Sequence, residues 1–585
     1  MRVSHVEVLA VALLCGLGMR DAAAADEIFG DGFDGPKWYI DADSDGYGNP
    51  AVFVRSATQP PGYVANALDC DDSNAVVYPG AADDPDGAFL DSNCDGIDGD
   101  IAKAVFVAPA GIDNSSCGSQ ANPCQSPAFA ISRLDALHTQ IYLQVGAYPG
   151  ALNVGANASF YGGYDLSWQR GPVASGGPNA QIVGASAPMA SYGVQSFAIY
   201  VAPGVQALFA DVEVDAPLAV GQSGDAGLSS YSLYADNAIV EIDRALVNQA
   251  DGANGGAGLA GVSASGTIAD AGNGGPSVQQ SVTCDSSTRG TGGAPSTNTC
   301  SGGRSVVAGQ GGNGGTMDTS CSGSPFSWDL NATNGIPGQN AAYVSAPPLG
   351  LGGGGGVGGN SCGPAQVGFD GAVSDGSGGV AGSGSSIAGG IWFAKSGGGG
   401  TLGENGGGGG GGGGAGGCDS GTDSWGAGGG GGGAGGCAAP TAGSGGGGGG
   451  GSFGVFAVGG NIVVNGTTFN RGHGGMGGQG GATGQGEPGG GGGQGGPQTQ
   501  GSPGAKGGSG GRGGIAGGGG GGQGGSVFAI YSLGSTVTSI ANTFVGGGPG
   551  PGGSGGASVL GPAAGQPGQT GAFGDVGTCA APGGC

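Results

Sequence analysis

Tyr231–Asn248 reads YSLYADNAIVEIDRALVN, and the pattern returns as FGVFAVGGNIVVNGTTFN at Phe453–Asn470 and as FAIYSLGSTVTSIANTFV at Phe528–Val545. Each repeat opens with an aromatic residue, continues with an apolar pair and then has a second apolar run. An earlier relative begins at Phe197, and a further fragment of the same kind is Gly390–Ala394. Short apolar runs that recur between turn residues are typical of stacked β-strands. We therefore expect these repeats to be rungs of one all-β solenoid, with glycine-rich excursions between them.

Glycine dominates the composition, with 155 Gly and 31 Pro among 585 residues. Such a content is typical of low-complexity chains, but only 9% of the residues are charged, unlike the highly charged class of disordered protein. Hydrophobic residues make up 37%, which is enough for a core of moderate size. The net charge is −27, and no basic patch is present to neutralise phosphates. We therefore expect a cation as a partner and no nucleic acid.

The first 25 residues have the features of a secretory signal. Arg2 is basic, Val8–Leu17 is apolar, and Ala23–Ala25 offers a small-residue cleavage site. The apolar run is too short to span a bilayer, and no later segment of the sequence is apolar enough to do so. Cys15 raises a lipoprotein as an alternative, but bulky Leu14 stands where a lipobox has a small residue. We expect a protein that is secreted or carried at the cell surface.

Cysteine usage agrees with export. Of the 13 cysteines, Cys15 belongs to the signal, and an even number remains, which indicates disulfides in an exported chain. The pairs expected from neighbours in sequence are Cys70–Cys94, Cys117–Cys124, Cys284–Cys300, Cys321–Cys362, Cys418–Cys437 and Cys579–Cys585. Several of these bridges would tie down glycine-rich segments that cannot be anchored by side chains.

A dense acidic module at residues 37–100 follows a short acidic linker at residues 26–36. Asp41, Asp43 and Asp45 stand at alternate positions and are followed by Gly46, as in loops that curl around a hard cation. The backbone carbonyl of Tyr47 falls where an EF-hand-type loop offers its main-chain ligand. The twelfth position of such a loop is not the usual Glu, and further ligands must therefore come from elsewhere.

Two later acidic runs, Asp69–Asp72 and Asp91–Asp98, can supply those ligands. The residues expected to contribute are Asp69, Asp71, Asp72, Asp95 and Asp98. The module has no His or Met, and hard oxygen ligands favour calcium over copper. A solvated acidic face that needs no ion is the alternative. Because unneutralised carboxylates repel one another, we expect folding of the module to be coupled to calcium binding.

The motif order in this module resembles a known repeat. WYIDADSDGYG, PPGYV, DCDD, YPGA and NCDG, all within residues 37–100, resemble the metal-binding repeat named after the MopE copper-binding protein. They are also similar to the calcium-wrapped thrombospondin type 3 repeats. The resemblance implies calcium ligation by Asp41, Asp43, Asp45, Asp69, Asp71 and Asp95. The sequence departs from the pattern at Asp83–Gly87, where the family has Glu-x-Cys-Asp-Gly, and it holds only one repeat.

Residues 101–250 are expected to hold a cap and the first rungs. Ala104–Ala108 and Ile141–Val145 are predicted strands, and Ser126–Leu137 is a predicted helix with a Ser N-cap and Pro at its first position. With the loop bracketed by Cys117 and Cys124, this order resembles the N-terminal part of secreted pectin-lyase-like proteins. The resemblance implies a right-handed parallel β-helix whose open end is capped by the helix.

Residues 251–525 are glycine arrays interleaved with rungs expected near 391 and 453, and residues 526–585 hold the last rung and a glycine-rich C-terminus. Gly406–Gly414 is nine consecutive glycines. One alternative is a set of disordered linkers, since glycine loses more entropy on ordering than any other residue. The other is a set of polyproline-II-like strands that approach closely and bond backbone to backbone, which we favour because the arrays return to recognisable rungs. The arrays resemble the glycine-rich domains of PE-PGRS-type surface proteins.

Three functions remain open from the sequence. The preferred one is a structural or adhesive protein that contacts extracellular polysaccharide or cell-surface components. The second is a polysaccharide lyase or hydrolase, with Glu241 and Asp243 as a carboxylate pair on one strand. Fold alone does not establish catalysis, and beyond the signal the chain has only His138 and His473 as histidines. The third is a largely disordered matrix protein with one folded calcium module.

Overall fold

The structure is a computed structural model that describes residues 35–189, 192–277, 289–300, 305–316, 333–341, 352–419, 423–498 and 502–585. The chain divides into two compact units, one ending at Ala102 and one spanning Lys103–Cys585. Almost all regular structure in the described residues is β-strand. No helix among them is long and apolar enough to cross a membrane.

The first unit is built on a small antiparallel sheet. Its strands are β1 (Lys37–Ile40), β2 (Phe53–Arg55) and β3 (Tyr63–Val64), with β1 in the centre. The rest of residues 35–100 forms loops and turns. Because β1 ends at Ile40, the sheet fixes the point from which the first acidic loop departs.

In its described residues the second unit has one α-helix, α1 (Pro127–Ile131), and many short strands. In chain order these are β4 (Ala104–Val107), β5 (Gln140–Gln144), β6 (Gly146–Pro149), β7 (Leu152–Val154), β8 (Ala158–Tyr164), β9 (Ala180–Val183), β10 (Ala185–Pro188), β11 (Val194–Val201), β12 (Gln206–Ala210), β13 (Glu213–Asp215), β14 (Gln222–Ser223), β15 (Ala226–Gly227), β16 (Ser230–Asp236), β17 (Ile239–Asp243), β18 (Leu246–Asn248), β19 (Thr297–Thr299), β20 (Ser305–Val307), β21 (Ser385–Ala388), β22 (Ile391–Ala394), β23 (Cys418–Asp419), β24 (Asp423–Ser424), β25 (Ser452–Val458), β26 (Asn461–Asn465), β27 (Thr468–Asn470), β28 (Val527–Leu533), β29 (Thr536–Ile540), β30 (Thr543–Val545) and β31 (Phe573–Cys579).

Three sheets run through this unit, and their strands pair in parallel except for β10, which is antiparallel to β11. Sheet 1 has the order β11-β16-β25-β28-β31, with β10 and β7 also bonded to β11; sheet 2 runs β4-β5-β8-β12-β17-β26-β29, and sheet 3 runs β6-β9-β13-β18-β27-β30. Each sequence repeat gives one strand to each sheet. Tyr231 pairs with Phe453, and Phe453 pairs with Phe528. The prediction that the repeats are successive rungs of one all-β stack is therefore confirmed.

The core lies between the sheets and is built from columns of aligned apolar residues. Ile199, Leu233, Val455 and Ile530 form one such column in sheet 1, and all four are buried. Full burial of each side chain of this size stabilises the fold by about 1.5–3 kcal/mol. The repeated apolar pairs in the sequence are thus the columns of the core.

The bend from sheet 2 to sheet 3 uses one backbone conformation in four successive rungs. Asp211, Arg244, Gly466 and Ala541 stand at this bend with φ of 51°, 49°, 58° and 52°. Left-handed backbone costs a residue with a Cβ about 1–2 kcal/mol. Three of the four rungs therefore carry this strain, and one relieves it with glycine.

We expect Ala541→Gly to stabilise the second unit by about 0.5–1 kcal/mol, because relief of the left-handed strain exceeds the added entropy of the unfolded chain. The matched control is Ala557→Gly, at an exposed position without positive φ, which should lose about 0.5 kcal/mol. Denaturant unfolding followed by circular dichroism measures both. A loss of stability in the Ala541 variant equal to that of the control would contradict the expectation.

Two sequence predictions about local structure are wrong. The predicted helix Ser126–Leu137 is shorter, since α1 spans Pro127–Ile131 with Ser126 as its N-cap. Beyond it, the Asp135 carboxylate accepts the backbone N–H of Leu137 at 2.8 Å. Local side-chain bonds of this kind compete with helical ones, and Leu137 is exposed.

The rung expected near 391 is the second wrong prediction. Gly390–Ala394 contributes to an antiparallel hairpin of β21 and β22 outside the three-sheet stack. Gly389 and Gly390 have φ of 55° and 84°, as required by a two-residue hairpin turn. The hairpin packs Trp392 against Phe453 of sheet 1, with ring centroids 5.4 Å apart.

The disulfides correct part of the predicted pairing. Cys70–Cys94, Cys117–Cys124 and Cys579–Cys585 are bonded as expected. The predicted pairs Cys284–Cys300, Cys321–Cys362 and Cys418–Cys437 are wrong, because the structure bonds Cys300 to Cys437 and Cys362 to Cys418. Cys284 and Cys321 lie outside the described residues. Sequence neighbours fail here because the arrays bring distant segments side by side.

The described residues of the arrays form what we call the glycine bundle, the glycine-rich segments between residues 251 and 572. The N–H groups of Gly252, Gly255 and Gly258 donate to the carbonyls of His473, Met476 and Gln479 at 2.9, 2.9 and 2.7 Å. Both segments advance three residues for each bond, which is the repeat of a polyproline-II helix. Of the two alternatives for the arrays, the structure favours the ordered one.

The longest glycine run lies inside the bundle. Six segments surround residues 407–415 and bond to them through backbone groups: 309–315, 336–339, 353–359, 366–369, 430–433 and 505–511. The N–H groups of Gly409, Gly410 and Gly411 go to three of these segments in turn, and Gly412 begins the cycle again. No direction around Gly408–Gly414 remains for a side chain.

Every glycine from Gly408 to Gly414 is required by close backbone approach. A Cβ on Gly411 would lie 1.9 Å from the carbonyl oxygen of Gln310, and one on Gly414 would lie 2.1 Å from that of Asn313. By contrast, His473 and Met476 stand three residues apart on an outer segment and are exposed. A long uninterrupted run of glycines therefore indicates a segment that lies inside the bundle.

Candidate metal centre

The first acidic loop leaves β1 and curls back on its own backbone. Asp41 Oδ1 accepts the N–H of Ser44 at 2.8 Å, and its Oδ2 accepts the N–H of Gly46 at 3.3 Å. Ser44 and Gly46 have φ of 74° and 96°, which lets the loop turn within a few residues. The alternating Asp residues consequently line the inside of the curve.

Three carboxylates each have one oxygen tied to the backbone and one that is not. Asp43 Oδ1 accepts the N–H of Asp45, Asp45 Oδ1 accepts that of Tyr47, and Asp69 Oδ1 accepts that of Asp71, at 3.3, 2.8 and 2.8 Å. The Oδ2 atoms of Asp43, Asp45 and Asp69 are buried and accept no hydrogen bond. A buried carboxylate oxygen without a donor is costly unless a cation lies beside it.

These oxygens belong to two overlapping groups. Asp41, Asp43 and Asp45 form one, and Asp43, Asp69 and Asp72 form the other, with the ligand atoms of each group within 4.8 Å of one another. Asp72 Oδ1 also accepts the N–H of Ala42 at 2.7 Å, which joins the second acidic run to the first loop. The geometry thus brings together the first loop and one of the two later runs.

Electrostatics in the group favour a positive charge beside these carboxylates. Asp69 is only 3% exposed, and burial raises the pKa of its carboxyl; the N–H of Asp71 opposes this, while the charges of Asp45, Asp43 and Asp72 raise it further. A divalent ion would reverse these repulsions. The donor set is oxygen only, which fits a hard cation.

The remaining predicted ligands lie outside both groups. Asp71 accepts the Ser73 hydroxyl at 2.6 Å, and Asp95 accepts the N–H of Ile97 and that of Ile101 at 3.2 and 2.9 Å. Asp98 is buried in the same unit but belongs to neither group. The ring of Tyr47 stacks on Tyr78 with centroids 5.6 Å apart, and its N–H holds Asp45.

The second acidic loop also curls around its first carboxylate. Asp91 accepts the N–H groups of Asp95 and Gly96 at 3.1 and 2.8 Å, the fourth and fifth residues after it, whereas Asp41 accepts those of the third and fifth. The Cys70–Cys94 disulfide joins this loop to the run at Asp69. Burial raises the pKa of Asp83, whose carboxylate accepts the N–H groups of Ser92 and Gly99, to about 6, and burial also raises the pKa of Asp95.

Sequence reasoning missed Asn66, which clamps the first loop. Its Oδ1 accepts the N–H of Gly48 at 3.2 Å, and its Nδ2 donates to the carbonyl of Gly46 at 2.9 Å. Between them these bonds hold the closing turn of the loop. The residue stands alone between PPGYV and DCDD, and no spacing rule in the sequence marks it.

Of the two carboxylates considered for catalysis, that of Asp243 is engaged in an ion-pair network within the fold. Asp211 is fully buried between the guanidinium groups of Arg170 and Arg244, and Arg244 also pairs with Asp243. Asp243 accepts the amide of Asn465 at 2.9 Å. Glu241 lies on the same strand as Asp243 and is exposed. This arrangement ties rungs together and does not single out a pair that flanks a substrate.

Comparison of the chain with family models, with curated proteins and with solved structures found no match to any of them.

Proposed function

We propose that this protein is an exported, calcium-binding structural protein of the cell surface or extracellular matrix. In this proposal the three sheets wind as a right-handed parallel β-helix of the pectin-lyase-like kind, and the segments of the glycine bundle are polyproline-II helices. The acidic module binds calcium as the MopE-type and thrombospondin type 3 repeats do. The parallel order of the sheets and the three-residue bonding period support the architecture.

The calcium assignment rests on one observation, the three buried carboxylate oxygens of Asp43, Asp45 and Asp69 that accept no hydrogen bond. Asp41 and Asp72 complete an all-oxygen set around them. Calcium takes six to eight such oxygens in flexible geometry, whereas copper prefers nitrogen or sulfur. The bound ion would supply the positive charge that lets the two acidic runs pack together.

Asp69→Asn is expected to weaken calcium binding at least about tenfold, because it removes a buried charged ligand at nearly constant volume. Isothermal titration of the chelator-treated secreted chain measures the affinity. At about 100 times the dissociation constant, calcium should raise the free energy of unfolding of the first unit by about 2.7 kcal/mol. Circular dichroism melts with calcium and with excess chelator measure that gain.

The matched control is Asp86→Asn, which removes the same charge from the same module outside both groups. It should bind calcium within about twofold of the unaltered chain. Equal weakening in both variants would mean that only net charge matters. A melting profile that is indifferent to chelator would remove calcium from the account of stability.

The structural or adhesive role is supported by where the polar groups go. Ion pairs within the stack engage Arg170, Arg244, Asp211 and Asp243. In the glycine bundle, backbone N–H groups donate to carbonyls of other segments of the bundle. Binding of the purified protein to cells and to a polysaccharide panel tests adhesion. Binding to neither would leave a purely structural role.

A further inference from the structure

The two ends of the three-sheet stack are protected differently. At the first end, β4 is buried along its whole length, and its Phe106 exchanges backbone bonds with a covering loop. The Phe106 N–H donates to Gly118 at 2.8 Å, and its carbonyl accepts the N–H of Cys124 at 2.9 Å. This edge strand is therefore closed by the disulfide loop of Cys117 and Cys124.

The last end is open among the described residues. β29 and β30 are the final strands of sheets 2 and 3, and most of their residues are exposed. Val537 and Phe544 pack only partly against the core, while Ile540 and Val545 are 51% and 49% exposed. Apolar side chains at the end of the core thus face water.

Backbone groups at this end also point outward. Thr536 donates its N–H to Gly460, and Thr543 donates to Thr467, both toward the preceding rung. Alternate residues of a parallel strand bond to opposite neighbours. Val537, Ser539 and Phe544 therefore direct their N–H and C=O groups away from the stack.

The usual devices that protect an edge strand are absent from this part of the sequence. Residues 527–548 contain neither a charged residue nor a proline. In a chain of net charge −27, this end is a surface on which a second acidic molecule can approach without strong repulsion. The end is therefore suited to another copy of the same chain.

The end also has the shape of a step. β31 extends sheet 1 by one strand, while sheets 2 and 3 stop at β29 and β30. The carboxylate on β31, that of Asp575, is paired with Arg471 of the same chain, and Phe573 and Val576 are 44% and 45% exposed. The recess is the space beyond β29 and β30, where sheets 2 and 3 end one strand earlier. If a two-fold rotation places sheet 1 of one copy opposite sheet 2 or sheet 3 of the other, each β31 faces the recess of the other copy.

We propose that two copies of this protein associate end to end through β29, β30 and β31, as an isologous dimer that completes the open rungs. Strand addition would satisfy the outward backbone groups, and the partly covered apolar residues would be buried. At the first end the edge strand of sheet 2 is already covered and cannot pair in this way. The result is a stack with twice as many rungs, whose two outer ends each carry the covered β4 edge.

Sedimentation equilibrium of the calcium-loaded secreted chain tests this proposal. We expect twice the chain mass at tens of micromolar, and slower amide exchange at Val537, Ser539 and Phe544 as concentration rises. Ser539→Lys in the recess and Val576→Lys on the projecting strand should each raise the dissociation constant at least about tenfold. Asn461→Lys adds the same charge at an exposed position of the inner strand β26 and should leave the dimer intact.

The proposal would be overturned if the chain stayed monomeric at tens of micromolar as well as at a 100-fold lower concentration, with fast exchange at the three amides. A dimer that survives both lysine variants would also overturn it, since its contact must then lie elsewhere. Slow exchange at these amides in a monomer would show that another segment of the same chain covers the end, which also overturns it. Circular dichroism of each variant establishes that the monomer is folded.

Discussion

Gly411→Ala is expected to lower the free energy of unfolding of the second unit by about 3 kcal/mol or more. The added Cβ would lie 1.9 Å from the carbonyl oxygen of Gln310, and neither group can rotate away, because both belong to bonded backbone. The neighbouring segment must therefore move, and its own bonds to the surrounding segments must lengthen. Overpacking a core costs about 1–3 kcal/mol even where side chains can adjust.

The control for this variant is a Gly→Ala change that is expected to stabilise the protein instead of destabilising it. Gly491 lies in the same bundle, a Cβ there meets nothing within 4 Å, and its φ is not positive. Gly491→Ala should therefore stabilise the protein by about 0.4–1 kcal/mol, by reducing the entropy of the unfolded chain. Denaturant unfolding and amide exchange of residues 309–315 measure both variants. If the two variants were equally stable, the close packing around the long glycine run would be wrong.

Asp211→Asn is expected to cost about 3–5 kcal/mol. Asn keeps the size of the side chain and tolerates the positive φ at this bend, so the change isolates the lost charge. Arg170 has a fully buried side chain, and it would keep its charge beside a neutral partner. Breaking a buried ion pair by removing one partner leaves an uncompensated charge in a low dielectric.

A second substitution separates charge from packing at this site. Arg170→Met in the Asp211→Asn background should recover about 2 kcal/mol, since the uncompensated cation is then gone. Asp575→Asn breaks a pair with an exposed carboxylate and should cost less than about 1 kcal/mol, measured at low protein concentration. A double variant no more stable than Asp211→Asn alone would show that the cost lies in the bend and not in the charge.

The rungs could be predicted from sequence because their signal is local. The apolar pairs at Leu233, Val455 and Ile530 repeat in register, and the structure stacks them in one column. The fragment at Gly390–Ala394 carries the same residue types, but Gly389 and its own Gly390 form a turn that folds it back on β21 as a hairpin. Residue type alone therefore does not distinguish a rung from a hairpin strand, whereas the turn before it does.

The glycine bundle lies at the limit of what sequence can predict. Its residues carry no side chains from which partners can be inferred, and the order of its segments is set by the return of the chain to the rungs. The disulfide between Cys300 and Cys437 joins residues 137 apart for that reason. The length of a glycine run is the usable signal, because only a fully surrounded segment needs glycine at every position.

The sequence predicted the types of ligand in the acidic loop, but it did not predict which later residues converge on it. Alternating Asp at 41, 43 and 45 indicated the curl, and Asp69 and Asp72 were among the residues expected to join it. Which of the later carboxylates converge depends on bonds such as Ala42 to Asp72 and on the clamp by Asn66. Those contacts follow from the path of the loop in space, which spacing along the sequence does not encode.

The pairing of β16 with β25 has a consequence for the order of folding. Ser230 aligns with Ser452, Ile239 with Asn461 and Leu246 with Thr468, so one constant offset of 222 residues separates these neighbouring rungs. The entropy cost of closing so long a loop comes before the two rungs can form their contacts, and the contact order of the domain is correspondingly high. Synthesis has to pass residue 470 before the stack can grow beyond its first rungs. We therefore expect slow folding, in which the glycine segments between these two rungs order only after the later rung has been synthesised.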